Sequence, residues 1–408
     1  MTRVVITGMG AVSPNGNGVK AFIANTFAGK VGIKAISKFD ASQTGITVAG
    51  EVDDFDPSLV VGKKAARRMD LYSQYAVQTA VEAAEMAGIN PENTTSEEMG
   101  VIYGSGIGGL TTIQEQVIKM HEKGPKRVKP LFVPMAISNM AAGNIAIRLQ
   151  AKNICTSITT ACASATNAIG EAYRQIKAGR AQVMISGGAE ASVNEIGISG
   201  FAALTALSTT ADPKRASLPF DQNRNGFVLG EGAGTLVLES LEHAQARGAQ
   251  ILGEIVGYGA TCDAYHITSP DPTGAGAKRA MAQAVEEAQI KPEQVGYINA
   301  HGTATHANDS GEAQAISQLF GAKVLVSSTK GMTGHLLGAA GAIEAVITVA
   351  SLNQGKLPRN VGCFDQDPEC SINLVDKATQ NTQVEYALSN SFGFGGHNAV
   401  LAFRKWHN

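Results

Sequence analysis

Short β-branched runs that end in glycine or a small polar residue recur along the whole chain. In the first half they are Val4-Val5-Ile6-Thr7-Gly8, Val101-Ile102-Tyr103-Gly104 and Val183-Met184-Ile185-Ser186-Gly187. In the second half come Ile255-Val256-Gly257, Val295-Gly296-Tyr297-Ile298-Asn299, Val324-Leu325-Val326-Ser327 and Tyr386-Ala387-Leu388-Ser389-Asn390. Each is apolar on both faces, which predicts buried central strands. Alanine-rich segments separate them, with apolar residues three and four positions apart from Leu71 to Met86 and from Ala277 to Ala288. That spacing predicts helices, and the alternation predicts an α/β fold with helices packed on the faces of sheets.

The two halves share a layout. Each has a strand, an alanine-rich helix, a second strand, and then a special residue leading into a buried helix: Cys162 in the first half, His335 in the second. The pattern predicts a duplicated unit with a pseudo-two-fold axis. Residues 1–250 would carry the cysteine and 251–408 the histidines. The stretches from Lys30 to Arg68 and from Glu115 to Asn139 read as insertions on this core.

Composition narrows the class. With 408 residues, 44% hydrophobic, 17% charged and 46 glycines, the chain reads as a well-buried enzyme rich in tight turns. A formal charge of −2 argues against nonspecific attraction to nucleic acid or membranes. The N-terminus runs from Met1 directly into a strand pattern, without the apolar core of a secretory signal. Leu336 to Leu352 is the longest apolar stretch, and Glu344 within it favours a buried core helix over a membrane span. Cysteines 155, 162, 262, 363 and 370 show no metal-type clustering. A reduced, cytoplasmic setting is the expectation, with most of them acting as small buried hydrophobes.

Three blocks carry the candidate chemistry. In Thr159-Thr160-Ala161-Cys162-Ala163-Ser164, the cysteine stands where a helix begins, for Ala165, Ala168, Ile169, Ala172, Tyr173 and Ile176 follow at helical spacing. Unpaired N–H groups and partial positive charge at a helix N-terminus favour a thiolate nucleophile. His301 follows the strand ending at Asn299, and His335 follows Thr333-Gly334. Residues at strand C-termini commonly face a ligand crevice. Two neutral imidazoles converging there can donate N–H groups to a developing enolate or thioester oxygen. Lys330 lies between them, and Glu344 sits nine residues past His335 on the expected helix, so the two are expected to form an ion pair. Taken singly, a free cysteine or a histidine is more often inert.

Two other readings fail on their parts. His301 and His306 have a zinc-like spacing, but Gly302-Thr303-Ala304-Thr305 breaks any helix that would align them, so no metal site is expected. Gly104-Ser105-Gly106-Ile107-Gly108-Gly109 looks like a phosphate loop, yet no acidic residue follows at dinucleotide spacing. Ser391-Phe392-Gly393-Phe394-Gly395-Gly396-His397-Asn398 combines mobile glycines with two phenylalanines, one of which could gate a pocket.

In this order, the blocks resemble the β-ketoacyl-acyl-carrier-protein synthases, particularly the chain-elongating enzymes of bacterial type II fatty-acid synthesis. Arg215-Ala216-Ser217-Leu218-Pro219-Phe220-Asp221 and Gly226-Phe227-Val228-Leu229-Gly230-Glu231-Gly232 extend the likeness across the chain. The resemblance implies a thiolase-like duplicated α-β-α-β-α five-layer fold and a homodimer, with no cofactor. It implies Cys162 as nucleophile, His301 and His335 as the active-site histidines, and Lys330 with Glu344 in support. Phe394 would be the gate, its backbone N–H joining that of Cys162 in the oxyanion hole. Thr303 and Thr305 would bind the pantetheine arm, and Ile107 and Phe201 would border the acyl pocket. Phe132 would reach that pocket from the partner subunit.

The implied reaction has two stages: Cys162 takes an acyl chain from acyl carrier protein, then the enolate of decarboxylated malonyl-carrier protein attacks the thioester. An acidic carrier calls for a basic dock. Lys63, Lys64, Arg67 and Arg68 form one group, and Lys126, Arg127 and Lys129 another. The alternatives are a type II polyketide ketosynthase, a CoA-dependent thiolase-like acyltransferase, and a noncatalytic carrier-binding scaffold. His335 counts against the thiolase, which would have cysteine there.

Overall fold

The computed structural model describes residues 2–407. Ten of the twelve strands in its main sheet carry the architecture. In the first half they are β1 (Val4–Ser13), β2 (Met99–Gly104), β3 (Cys155–Ile158), β4 (Val183–Glu190) and β5 (Gly232–Ser240). In the second they are β6 (Gly253–Cys262), β7 (Val295–Asn299), β8 (Leu325–Ser327), β9 (Tyr386–Gly393) and β10 (His397–Arg404).

The strand order is β3-β2-β4-β5-β1-β6-β10-β9-β7-β8. From the centre outward, β1, β5, β4, β2, β3 correspond to β6, β10, β9, β7, β8. The pairings repeat as well. β1 with β5 and β4 with β5 are antiparallel, while β2 runs parallel to β4 and β3. β6 with β10 and β9 with β10 are antiparallel, while β7 runs parallel to β9 and β8. The halves join where β1 meets β6 antiparallel, Val4 opposite Ile255 and Ile6 opposite Gly253.

Helices complete five layers. α1 (Leu71–Ala87) and α2 (Met140–Leu149) cover the outside of the first half-sheet. Asp70 caps α1 by accepting from Tyr72 N–H, and Gly88 ends it in a left-handed conformation that glycine adopts freely. α3 (Ser164–Lys177) and α6 (Ala340–Gln354) fill the space between the half-sheets and touch both. α4 (Ala275–Glu287) and α5 (His306–Phe320) cover the outside of the second. α6 is buried all round from Ala340 to Leu352, the signature of a central helix. Alanines and a glycine on its surface let two sheets approach it closely.

Several expectations are corrected. β8 stops at Ser327, and Lys330 opens a one-turn helix, so the strand predicted from Val324 ends three residues before the lysine. His335 does not open the buried helix. A 3-10 turn, Leu337–Ala339, intervenes before α6, so His335 and Glu344 sit on different elements. The glycine-rich C-terminal segment is the tip of the β9–β10 hairpin. All five cysteines are free, but only Cys162 and Cys370 are buried, and Cys155 and Cys262 are exposed. β3 is an edge strand and β6 ends at Cys262, so both chains of residues run out to the surface there. No helix among the described residues is long and apolar enough to cross a membrane.

Candidate active site

Cys162 sits on a tight turn between β3 and α3. Ala161 takes a left-handed φ of 49°, unusual for a residue with a β-carbon. Ser164 ties the turn: its Oγ accepts from Thr160 N–H at 2.9 Å and donates to the Ala161 carbonyl at 2.6 Å. α3 starts at Ser164, so the expected position at the helix N-terminus holds. The expected thiolate does not. Burial pushes the Cys162 thiol up to about 12; Lys330 pulls it down, while Glu190 and Glu344 push it further up. A helix N-terminus contributes at most about 2 kcal/mol. Burial can shift a group by 3–5 units, or about 4–7 kcal/mol. The resting group is therefore a thiol.

His301 follows β7 and His335 follows the one-turn helix Lys330–Thr333. Their rings stand 5.2 Å apart at 83°, and both are buried. Burial, then the Lys330 charge, holds both imidazoles well below their usual pKa; His335 adds to the effect on His301. Both are neutral at physiological pH. Each Nδ1 is buried without a hydrogen-bond partner. An unpaired lone pair is cheaper to bury than an unpaired N–H, so the proton belongs on Nε2. Lys330 Nζ pairs with Glu344 Oε1, and both side chains are buried. Held this way, Lys330 supplies a fixed positive charge beside both histidines and Cys162.

Cys162, His301 and His335 share one cavity of about 100 Å³, with Phe201, Phe394, Thr303 and Thr305 also on its wall. Pockets that hold organic ligands usually measure ≈ 300–1,000 Å³, so a ligand of ordinary size needs the wall to move. The rings form a chain: Phe394 to Phe201 at 6.5 Å, Phe201 to Phe227 at 5.6 Å, Phe227 to His335 at 5.2 Å. Gly393, before Phe394, presses on the turn that carries Cys162. A β-carbon there would lie 2.7 Å from the Thr160 carbonyl oxygen and 3.1 Å from Cys162 N. Only glycine lets the hairpin tip come this close.

The remaining candidates lie elsewhere. Ile107 and Phe132 are not on the cavity wall of the single chain; Ile107 is 36% exposed. The Gly104–Gly109 loop cradles no phosphate because its donors are already engaged: Gly106 and Ile107 N–H groups bind the Glu190 carboxylate. Lys63, Lys64, Arg67, Arg68, Lys126 and Arg127 are all exposed. Arg67 and Lys129 line the same surface cleft, which brings the two basic groups together. His301 is buried and His306 exposed, so they share no metal site, and no metal-ligating cluster occurs among the described residues.

Sequence reasoning missed two buried acids. Glu190 and Glu312 are both pushed up to about 7 by burial, against the N–H donors that bind them. Glu312 accepts from His301 N–H at 2.9 Å, Gly302 N–H at 2.8 Å and Asn390 Nδ2 at 3.0 Å. Phe227, Phe392, Asp263 and Asn398 also line the cavity and were missed. The available signal was a single charge in an uncharged run, as at Ser186-Gly187-Gly188-Ala189-Glu190-Ala191-Ser192.

Comparison with known proteins agrees over the full chain. Residues 1–244 match the β-ketoacyl synthase N-terminal domain and residues 252–363 its C-terminal domain. A 3-oxoacyl-[acyl-carrier-protein] synthase 2 from Staphylococcus aureus is 49% identical over 407 residues, covering 99% of this chain and 98% of that protein. The crystal structure of a β-ketoacyl synthase from Burkholderia phymatum superposes with a TM-score of 0.93 at 35% identity, covering 100% of both chains. A type II polyketide ketosynthase in complex with its acyl-carrier protein gives 0.92 at 31%, also covering 100% of both chains.

Proposed function

The chain belongs to the β-ketoacyl synthase family, and from that premise we propose that Cys162, His301 and His335 carry out its condensation, with Lys330, Glu344 and Phe394 in support. The enzyme is a 3-oxoacyl-acyl-carrier-protein synthase of fatty-acid elongation. It joins a cysteine-bound acyl chain to the two-carbon unit left when malonyl-carrier protein loses carbon dioxide. The 49% identity to a fatty-acid enzyme, against 31% to a polyketide ketosynthase, favours fatty-acid elongation over the polyketide alternative.

The observation that carries the residue assignment is the convergence of one thiol and two neutral imidazoles on a single cavity. Cys162 Sγ attacks the acyl thioester carbonyl, and the carrier thiol leaves with the proton. The backbone N–H groups of Cys162 and Phe394 receive the oxyanion, a role supported by the close approach of Gly393. In the second stage the malonyl C–C bond breaks and its electrons pass to the thioester oxygen as an enolate. The Nε2–H groups of His301 and His335 donate to that oxygen. The enolate carbon then attacks the Cys162 thioester, and the thiolate leaves. Neutral donors suit this step, because a permanent imidazolium would add binding to the ground state as well as the transition state.

Thr303 and Thr305, on the cavity wall, bind the pantetheine arm, and Phe201, on the same wall, borders the acyl pocket; Ile107, off that wall in the single chain, borders the pocket once it enlarges around a loaded chain. Residues 1–250 and 251–408 are the two halves, one supplying the nucleophile and the other the donors. The basic groups Lys63, Lys64, Arg67, Arg68, Lys126 and Arg127 form the dock for acyl carrier protein. The enzyme is a cytoplasmic homodimer. Support for the dimer comes from β3, an exposed edge strand, together with the exposed Leu131, Val133, Ile137 and Ile154. Phe132 on that face would enter the partner's pocket.

The test of the site is intact mass after incubation with an acyl-carrier protein. One acyl adduct per subunit is expected on the unmodified enzyme and none on Cys162→Ala. An adduct that survives in Cys162→Ala, on Cys155 or Cys262, overturns the assignment.

A further inference from the structure

The turn that carries Cys162 is strained, and something must restrain it. Ala161 sits at φ 49°, a left-handed conformation that a residue with a β-carbon keeps only where its surroundings fix it. Thr160 is where the turn is gripped. Its N–H donates to Ser164 Oγ, its carbonyl accepts from Ala163 N–H at 3.0 Å, and its hydroxyl donates to Asn167 Oδ1 at 2.7 Å. Asn167 Nδ2 donates in turn to the Tyr258 hydroxyl oxygen at 2.6 Å. Asn167 lies near the start of α3 and Tyr258 in β6, so these bonds run from the Cys162 turn into the second half of the chain. None of the three residues stands on the cavity wall, and the mechanism above uses none of them.

The far end of this chain of bonds is a fixed point. Tyr258 is only 3% exposed. Asn167, Gly170 and Arg174 fall three and four residues apart, on one face of α3, and the tyrosine ring lies against that face. A β-carbon at Gly170 would run into the ring, and the Arg174 guanidinium stacks 4.5 Å from its centroid. Burial pushes the Tyr258 hydroxyl up to about 12, outweighing the bond from Asn167, so it stays a neutral phenol. Asparagine is a poorer helix former than alanine, because its amide competes for backbone groups outside the helix. Here both ends of that amide are engaged by Thr160 and Tyr258, an arrangement that serves the turn and not the helix.

We propose that Asn167 and Tyr258 are positioning residues for Cys162, holding its turn through Thr160 so that the Cys162 N–H and thiol keep their aim during acyl transfer. The proposal rests on the condensing-enzyme reading above. The turn has a second restraint in Gly393, whose close approach to the Thr160 carbonyl belongs to the β9–β10 hairpin tip. That tip is part of the cavity wall through Phe392, Gly393 and Phe394. A cavity of about 100 Å³ must widen to take a ligand, and a wall residue that retreats takes its contact with it. The Tyr258 arm lies outside the wall and holds when the tip moves. A misplacement of about 1 Å at a reacting group can lower a rate about a hundredfold, so an anchor independent of the wall has a kinetic purpose.

The experiment follows two half-reactions of the full-length enzyme: acyl transfer from carrier protein to Cys162, and carbon dioxide release from malonyl-carrier protein. Tyr258→Phe removes the hydroxyl and keeps the ring in its slot. It should lower the acylation rate constant roughly threefold to tenfold, with KM nearly unchanged. Carbon dioxide release should stay within about twofold, because His301 and His335 stand on other elements. Asn167→Ala should lower acylation about tenfold or more. The combined variant should acylate no more slowly than Asn167→Ala alone, because Tyr258 reaches Thr160 only through Asn167. Unchanged acylation in Tyr258→Phe, equal losses in both half-reactions, or additive losses in the combined variant would overturn the proposal. If Asn167→Ala does not fold, the two half-reactions of Tyr258→Phe decide. Failure of the unmodified enzyme to acylate Cys162 at all would overturn the underlying condensing-enzyme assignment instead.

Discussion

The loops after β2 and β7 occupy corresponding places in the two half-sheets, and each is held from behind by a buried acid. Glu190 takes the N–H groups of Gly106 and Ile107; Glu312 takes those of His301 and Gly302. Both acids are raised to about 7 by burial. Yet Glu190 ends a strand and Glu312 lies in α5, so the same restraint is supplied from different elements. The first loop is glycine-rich and carries Ile107, which lies off the cavity wall. The second carries a histidine and two threonines. The duplicated framework thus offers two corresponding crevice edges that differ in their side chains: only the second puts its residues, His301, Thr303 and Thr305, on the cavity wall. The ends of β4 and β9 differ in the same way. One places Glu190 near Cys162; the other places Gly393, whose missing side chain lets the hairpin tip touch the Cys162 turn.

The comparison breaks most severely at the fixed charge of the second half. Lys330→Ala leaves Glu344 buried without its partner, and removing one member of a buried pair costs about 3–5 kcal/mol. Chemical denaturation should show that loss. Stability within about 1 kcal/mol of the unmodified enzyme would mean the pair is not needed to hold the site. Next in size are the histidines. His301→Ala and His335→Ala should each lower malonyl decarboxylation by about a hundred- to a thousandfold, roughly 3–4 kcal/mol, and slow self-acylation of Cys162 far less. Carbon dioxide release and acyl transfer, followed separately, test the division. Equal losses in both stages would erase it.

The same histidines fix a pH direction. Their folded pKa values are depressed, so the unfolded chain binds more protons once pH falls below its own value near 6.5. Their contribution to stability is present above that value and lost as pH falls toward the folded value. Decarboxylation should accordingly show no imidazole step near 6.5.

A smaller effect tests the contrast between Glu190 and Gly393. Gly393→Ala should cost about 1–3 kcal/mol of stability by overpacking and slow acylation of Cys162, because the new methyl meets Thr160 and Cys162 backbone atoms. Normal acylation in a folded variant would show that the hairpin tip retreats freely. Smallest is the dock. Arg67→Glu with Arg68→Glu, or Lys126→Glu with Arg127→Glu, should raise KM for carrier-protein substrates and leave turnover of short acyl-CoA surrogates nearly unchanged. Equal effects on both substrate types would remove the patch from the dock.

Much of this was legible in the chain. Strand runs, alanine-rich helices and the repeated layout gave the duplicated α/β unit, because periodicity is a local property. Cys162 was placed at a helix start by the apolar spacing that follows it, and α3 begins two residues later. The three blocks Thr159–Ala165, Asn299–Asp309 and Ser327–His335, which hold Cys162, His301 and His335, pointed to the chemistry, since each is a short segment whose residue types are local. What failed to be read was environmental. The thiolate expected from a helix N-terminus is a buried thiol, because desolvation depends on everything packed around Cys162 and outweighs the local dipole. Glu190 and Glu312 were not singled out; only chain closure brings Gly106, Gly338, His301 and Asn390 to them across separations of up to 148 residues. The 5.2 Å between His301 and His335, the contact of Gly393 with Cys162, and the small volume of the closed cavity are likewise products of tertiary packing. Sequence determined which groups the protein could use and on which local elements they stand. Tertiary structure decided their distances, their protonation and their partners, because these depend on atoms remote in the chain.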